Sequence, residues 1–91
     1  MKSRKIKVFT RPDIQKIIEK YEKDLLLLPN VTGVGIGYKI TRGIQKNALC
    51  LKVYVRKKVP SQELPKNQII PAQLNGILTD VEEIGNVKAH A

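Results

Sequence analysis

The stretch Val31-Thr-Gly-Val-Gly-Ile-Gly-Tyr-Lys-Ile-Thr-Arg-Gly-Ile-Gln-Lys-Asn-Ala-Leu-Cys-Leu-Lys-Val-Tyr-Val55 decides the fold. In its first part Gly33, Gly35 and Gly37 alternate with Val34, Ile36 and Tyr38, the two-residue period of a β-strand. One face of that strand is apolar and the other is bare backbone. Glycine inside an element costs roughly 0.5 to 1 kcal/mol relative to alanine, so three on one face imply close approach of a packed helix, a partner domain or a ligand. The second part alternates equally well. Leu49, Leu51, Val53 and Val55 form one face, and Cys50, Lys52, Tyr54 and Arg56 the other, as in a half-buried antiparallel strand. Between them, residues 41–47 hold Gly43 as turn chemistry, so the two strands read as a hairpin.

Upstream, Thr10 or Arg11 precedes Pro12 and Asp13, a helix-capping pattern with proline in the first turn and a carboxylate at the positive end of the dipole. Ile14, Ile17, Ile18, Tyr21, Leu25 and Leu28 follow at spacings of three and four, which predicts an amphipathic helix from about Pro12 to Leu28, ended by Pro29. Downstream, Pro60, Pro65 and Pro71 punctuate an irregular connection in which Ser61 caps a short turn. Asn75-Gly76 then signals a turn into residues 77–84, a third strand whose inward face the pattern leaves open. One helix and about three strands predict an α+β fold, a two-layer sandwich with the helix on a small antiparallel sheet. Residues 1–11 read as a basic arm, 12–85 as one domain and 86–91 as a tail. Within the arm, Lys5 to Phe9 alternates well enough to add an edge strand.

A chain of 91 residues supports one domain, and 42% hydrophobic against 27% charged residues is a globular composition with an aliphatic core, since aromatics are only 4%. A single cysteine excludes an internal disulfide, and with His90 as the lone histidine there is no zinc-type ligand set, so no metal or cofactor is expected. Lys5 and Lys7 interrupt the first apolar stretch before it reaches a signal-peptide core, and no run reaches the roughly 20 residues of a membrane span. The expectation is a soluble, cytoplasmic chain in a reducing compartment.

The net charge of +9 is concentrated in residues 25–62, which hold seven Lys or Arg and no acid. Such a surface attracts nucleic acid, anionic membrane or an acidic protein, unless it is simply a solvated face. Lys39, Arg42, Lys46, Lys52, Arg56, Lys57 and Lys58 are positioned in sequence to track phosphates, with Tyr38 or Tyr54 for stacking. Aromatics are sparse for an RNA-binding sheet, and no RNP-type string is present.

Catalytic motifs are missing. The glycines of Gly33 to Gly37 lie within a strand and lead to another strand, where a dinucleotide loop must open a helix. Ser3 and Ser61 occupy no nucleophile elbow, Cys50 reads as a small hydrophobe, and Asp80, Glu82 and Glu83 read as an exposed strand end. No catalytic residue is assigned.

Across residues 28–85, the strings Leu28-Pro-Asn-Val-Thr-Gly-Val-Gly-Ile-Gly-Tyr-Lys39, Ala48-Leu-Cys-Leu-Lys-Val-Tyr-Val-Arg-Lys-Lys-Val-Pro60, Leu64-Pro65, Ile70-Pro71 and Gly76-x-x-Thr79-Asp80-Val81 agree in order and spacing with a known pattern. The chain resembles the N-terminal region of bacterial trypsin-like serine peptidase-like proteins related to the plant narrow-leaf-type protease family. The resemblance implies an accessory or pro-region-like module preceding a peptidase domain that would begin beyond Ala91, in a stand-alone relative, a truncated product or a piece of a longer protein. The triad of such proteins lies outside this stretch, so no catalytic residue carries over. The expected partner is a peptidase domain or another protein surface, met through Gly33, Gly35, Gly37, Lys39, Lys52, Tyr54 and Arg56. The alternative is a small basic nucleic-acid-binding protein using residues 39–58, and pairing of two copies is compatible with either.

Overall fold

Local sequence chemistry sets each element of the computed structural model, which describes residues 9–84. Helix α1 spans Arg11–Leu26, and Thr10 is its cap. The Thr10 hydroxyl accepts from the Asp13 backbone N–H, and the Asp13 carboxylate accepts from the Thr10 N–H at 2.9 Å. This reciprocal box satisfies two of the donors that a helix start leaves unpaired. The helix stops one turn short of Pro29, because the chain already turns at Leu27, whose N–H bonds back to Lys23 and Asp24.

Strands β1 (Val31–Thr41) and β2 (Ile44–Val55) pair antiparallel and meet at the Thr41–Ile44 pair. The loop is therefore only Arg42-Gly43, with φ of 52° and 77°. Positive φ at both positions is the twist-matched two-residue hairpin turn, so the strands run further toward the tip than the stretch 41–47 suggests. Strand β3 (Gln73–Leu74) and β4 (Ile77–Glu83) form a second hairpin, closed by Asn75-Gly76 with φ of 51° and 83°.

The fold class is the expected α+β, one N-terminal helix on a sheet, but the sheet is four-stranded and mixed, in the order β1-β2-β4-β3. Strand β4 runs parallel to β2, with Leu51 beside Thr79 and Val53 beside Val81, which corrects the all-antiparallel sheet. Parallel neighbours need a crossover of roughly a dozen residues or more. The proline-rich stretch 56–72, with short 3₁₀ turns at Ser61–Glu63 and Lys66–Gln68, supplies that length and returns the chain to the far end of the sheet.

Ile14, Ile18 and Leu25 of α1 pack with Val31, Leu51, Val53, Val55 and Ile77 in one buried cluster, and Ile17, Tyr21, Leu28, Val34, Ile36, Leu49 and Val81 close around it. Both apolar stripes read from the sequence thus face each other. Strand β4 resolves its ambiguity by turning Ile77, Thr79 and Val81 toward this core, while Leu78 stays exposed. The arm's edge-strand segment, apart from Phe9, and the tail from Gly85 lie outside the described residues.

Candidate functional site

The register puts Gly33 beside Tyr54, Gly35 beside Lys52 and Gly37 beside Cys50, while Lys52 lies beside Asp80 and Tyr54 beside Glu82. These residues share the face opposite α1, because side chains alternate between faces along every strand. The glycines are not bare. A Cβ at Gly35 would sit 3.3 Å from the Tyr54 ring, and one at Gly37 would sit 3.2 Å from Cγ of Lys52. Side chains of the neighbouring strand β2 make the close approach at Gly35 and Gly37, in place of the helix, partner domain or ligand that the glycine pattern suggested.

Lys52 is the centre of the face and only 3% exposed. Its Nζ donates to Asp80 Oδ2 at 2.6 Å and to the Tyr38 carbonyl at 3.3 Å, and pairs with Glu82 Oε1 at 2.7 Å. Three contacts use the three hydrogens of an ammonium. Asp80 Oδ2 also accepts the Ile40 backbone N–H at 2.9 Å, and Lys39 Nζ lies 3.8 Å from Oδ1 while donating to the Thr79 carbonyl at 3.2 Å. The node therefore ties β4 to the far half of the hairpin across β2, where the β1–β2 register shifts between Tyr38 and Ile40. The missing Cβ at Gly37 makes room for the Lys52 stem, and the one at Gly35 for the Tyr54 ring.

Burial opposes the charge of Lys52, yet its hydrogen bonds to Asp80 and Glu82 outweigh that and hold its pKa above the usual lysine range. Burial likewise pushes the Asp80 carboxyl up, but the Lys52 ammonium, the Ile40 N–H and the charge of Lys39 leave it below the ordinary carboxylate value. Cys50 is fully buried, and desolvation reinforced by Asp80 pushes its thiol up despite the opposing charges of Lys52 and Lys39. A raised thiol is a poor nucleophile. A cationic lysine and an ionised, saturated aspartate offer neither base nor acid to a substrate.

Of the residues expected to meet a partner, Gly33, Gly35, Gly37, Lys39, Lys52 and Tyr54 are brought together on or around this face, and Arg56 is exposed just past the end of β2. Lys52 is the exception in kind. It is spent on an internal ion pair and is not part of an exposed basic face, and Asp80 is buried at 7% rather than at an exposed strand end. The sequence signals for this node were the Asp80-x-Glu82 spacing on one strand face and a lysine between Leu51 and Val53, both weak without the parallel register. Among the described residues no group of three or more His, Cys, Asp or Glu is arranged to hold a metal ion, and no helix is long and apolar enough to cross a membrane.

Fold and face together define a small two-layer α+β domain whose ionisable centre is closed on itself. The chain belongs to the NARROW LEAF 1 N-terminal domain family, whose model matches residues 12–84; narrow leaf 1 is a trypsin-like serine peptidase-like family. Comparison with curated proteins gives no match.

Proposed function

We propose that this chain is a non-catalytic accessory module of a trypsin-like serine peptidase-like protein, docking on the peptidase domain through the glycine-strand face opposite α1 and the basic hairpin. The observation that carries the reading is the closed Lys52–Asp80 pair, with Glu82 as a second partner of the ammonium, on the sheet face opposite α1. Lys52 and Asp80 are engaged with each other there and are not free for acid, base or nucleophilic work. Tyr54, half-buried over Gly33 and Gly35, offers an aromatic contact, and the exposed Arg56 two residues on adds positive charge.

The test is calorimetric titration of the 91-residue chain against a separately produced peptidase domain from a narrow-leaf-1 family protein, beside a casein-cleavage assay of the chain alone. Saturable binding without cleavage is expected. Cleavage by the chain that disappears in Ser61→Ala would overturn the non-catalytic assignment. Retention on DNA or RNA that falls steeply with salt, with no domain binding, would favour a nucleic-acid partner instead.

A further inference from the structure

Strand β1 is an edge of the sheet, with β2 on one side and, among the described residues, no strand on the other. Which of its backbone groups face the open side follows from β2. The Val55 carbonyl accepts from the Ile84 N–H, on the β4 side. Backbone groups alternate sides along a strand, so Val53 and Leu51 also face β4, while Tyr54, Lys52 and Cys50 face β1. Their partners Gly33, Gly35 and Gly37 therefore bond to β2, and Val34 and Ile36, beside Val53 and Leu51, turn their N–H and C=O groups to the open edge. No hydrogen bond from outside the β1–β2 ladder reaches either of them among the described residues. Edges are ordinarily shielded by a charge, a proline or a bulge. Residues 31–38 hold no charge and no proline, and the two bulges fall at the ends, leaving residues 33–38 in unbroken register.

We propose that β1 pairs with β1 of a second copy of this chain, antiparallel about a two-fold axis at Gly35, so that two four-stranded sheets become one. In that register Val34 lies opposite Ile36 of the second copy, and Ile36 opposite its Val34. The outward N–H and C=O groups of the two chains then meet and close two reciprocal pairs of hydrogen bonds, with Gly35 opposite Gly35 and Gly33 opposite Gly37. The run is its own complement, small and apolar residues alternating symmetrically about Gly35. A two-fold interface requires such self-complementarity, and this favours a second copy over a strand of another protein. The glycine face leaves room for the pairing. Tyr54 lies across β1 with its hydroxyl 3.5 Å from where a Gly35 Cβ would sit, so two Tyr54 rings converge over the axis with glycine beneath them. Two chains of net charge +9 repel each other, yet no charge lies in the paired run, so salt should strengthen the pairing. The inference goes beyond the accessory-module reading and does not depend on it.

The experiment is sedimentation equilibrium of the 91-residue chain over a range of concentrations at low and high salt, with deuterium exchange followed by NMR in the same samples. A monomer–dimer equilibrium that tightens with salt is expected, and the Val34 and Ile36 amides should exchange more slowly as concentration rises. Val34→Pro removes an N–H that β2 does not use, a change an edge strand tolerates, and should weaken the dimer by about tenfold or more. If circular dichroism shows that Val34→Pro does not fold, the two wild-type amides decide. A chain that stays monomeric at millimolar concentration overturns the inference and leaves the accessory reading standing. So does a dimer that folded Val34→Pro forms equally well, or one whose Val34 and Ile36 amides exchange as fast as in the monomer. Protection of those amides only on addition of a separately produced peptidase domain would assign the edge to that domain and overturn the second copy.

Discussion

Gly35 and Gly37 occupy the same face of the same strand, but their neighbours differ in freedom to move. The Tyr54 ring over Gly35 is half-buried and open to solvent on one side, whereas the Lys52 stem beside Gly37 is pinned at its far end by Asp80, Glu82 and Tyr38. Gly35→Val should therefore be mild, within about 1 kcal/mol, since the ring swings away and valine suits a strand, while Gly37→Ala should cost about 1 to 2 kcal/mol by overpacking. Urea midpoints decide the order, and equal losses would show that the Tyr54 ring is as fixed as the lysine. Asp80 gives a pH signature. Its carboxyl titrates lower in the folded state than its unfolded value of about 3.9, so the stability it contributes is complete above that value. That stability is lost as pH falls through the lower folded pKa. Asp80→Asn should lower the midpoint at neutral pH and flatten the acid limb below about pH 4, measured by denaturation at successive pH values. An unchanged acid limb would remove the node from the stability of the domain.

At the scale of elements, α1 holds to the sheet by its Ile14, Ile18 and Leu25 stripe and starts at a capping box. Ile18→Ala should cost about 2 to 4 kcal/mol through lost transfer energy and a cavity, and Thr10→Ala about 1 kcal/mol through an unsatisfied helix start. Chemical denaturation of the two variants separates them, and an unchanged midpoint in Ile18→Ala would sink the helix-on-sheet packing. The helix and its stripe were legible because a 3.6-residue period and a cap are local features. Strand β3 was not legible as a strand, since Gln73–Leu74 is two residues long and owes its pairing to the Asn75-Gly76 turn and to β4.

For the whole molecule, β2 is the strand with backbone partners on both sides along Leu51–Val55, β1 on one edge and β4 on the other. Its amides there should be the slowest to exchange with deuterium, and those near Ile44 at the tip among the fastest, because β4 does not extend alongside the tip. Fast exchange at Leu51 and Val53 would contradict the central place of β2. The charge is also redistributed by the fold. Lys39 and Lys52 lie against Asp80, and Lys52 also against Glu82, so the basic surface that remains is carried by Arg42, Lys46, Arg56, Lys57 and Lys58.

The amino-acid sequence by itself determined the helix and its cap, the long hairpin, the apolar stripes that meet in the core and the family pattern across the domain, because periodicity, turn chemistry and motif spacing are properties of neighbouring residues. Only the tertiary structure decided that β4 runs parallel to β2, that Lys52 is buried against Asp80 and Glu82, and that Tyr54 and Lys52 cover the glycines. Those features depend on where the irregular stretch 56–72 returns the chain. A register set across such a connection is fixed by packing at both of its ends, and no local pattern records it.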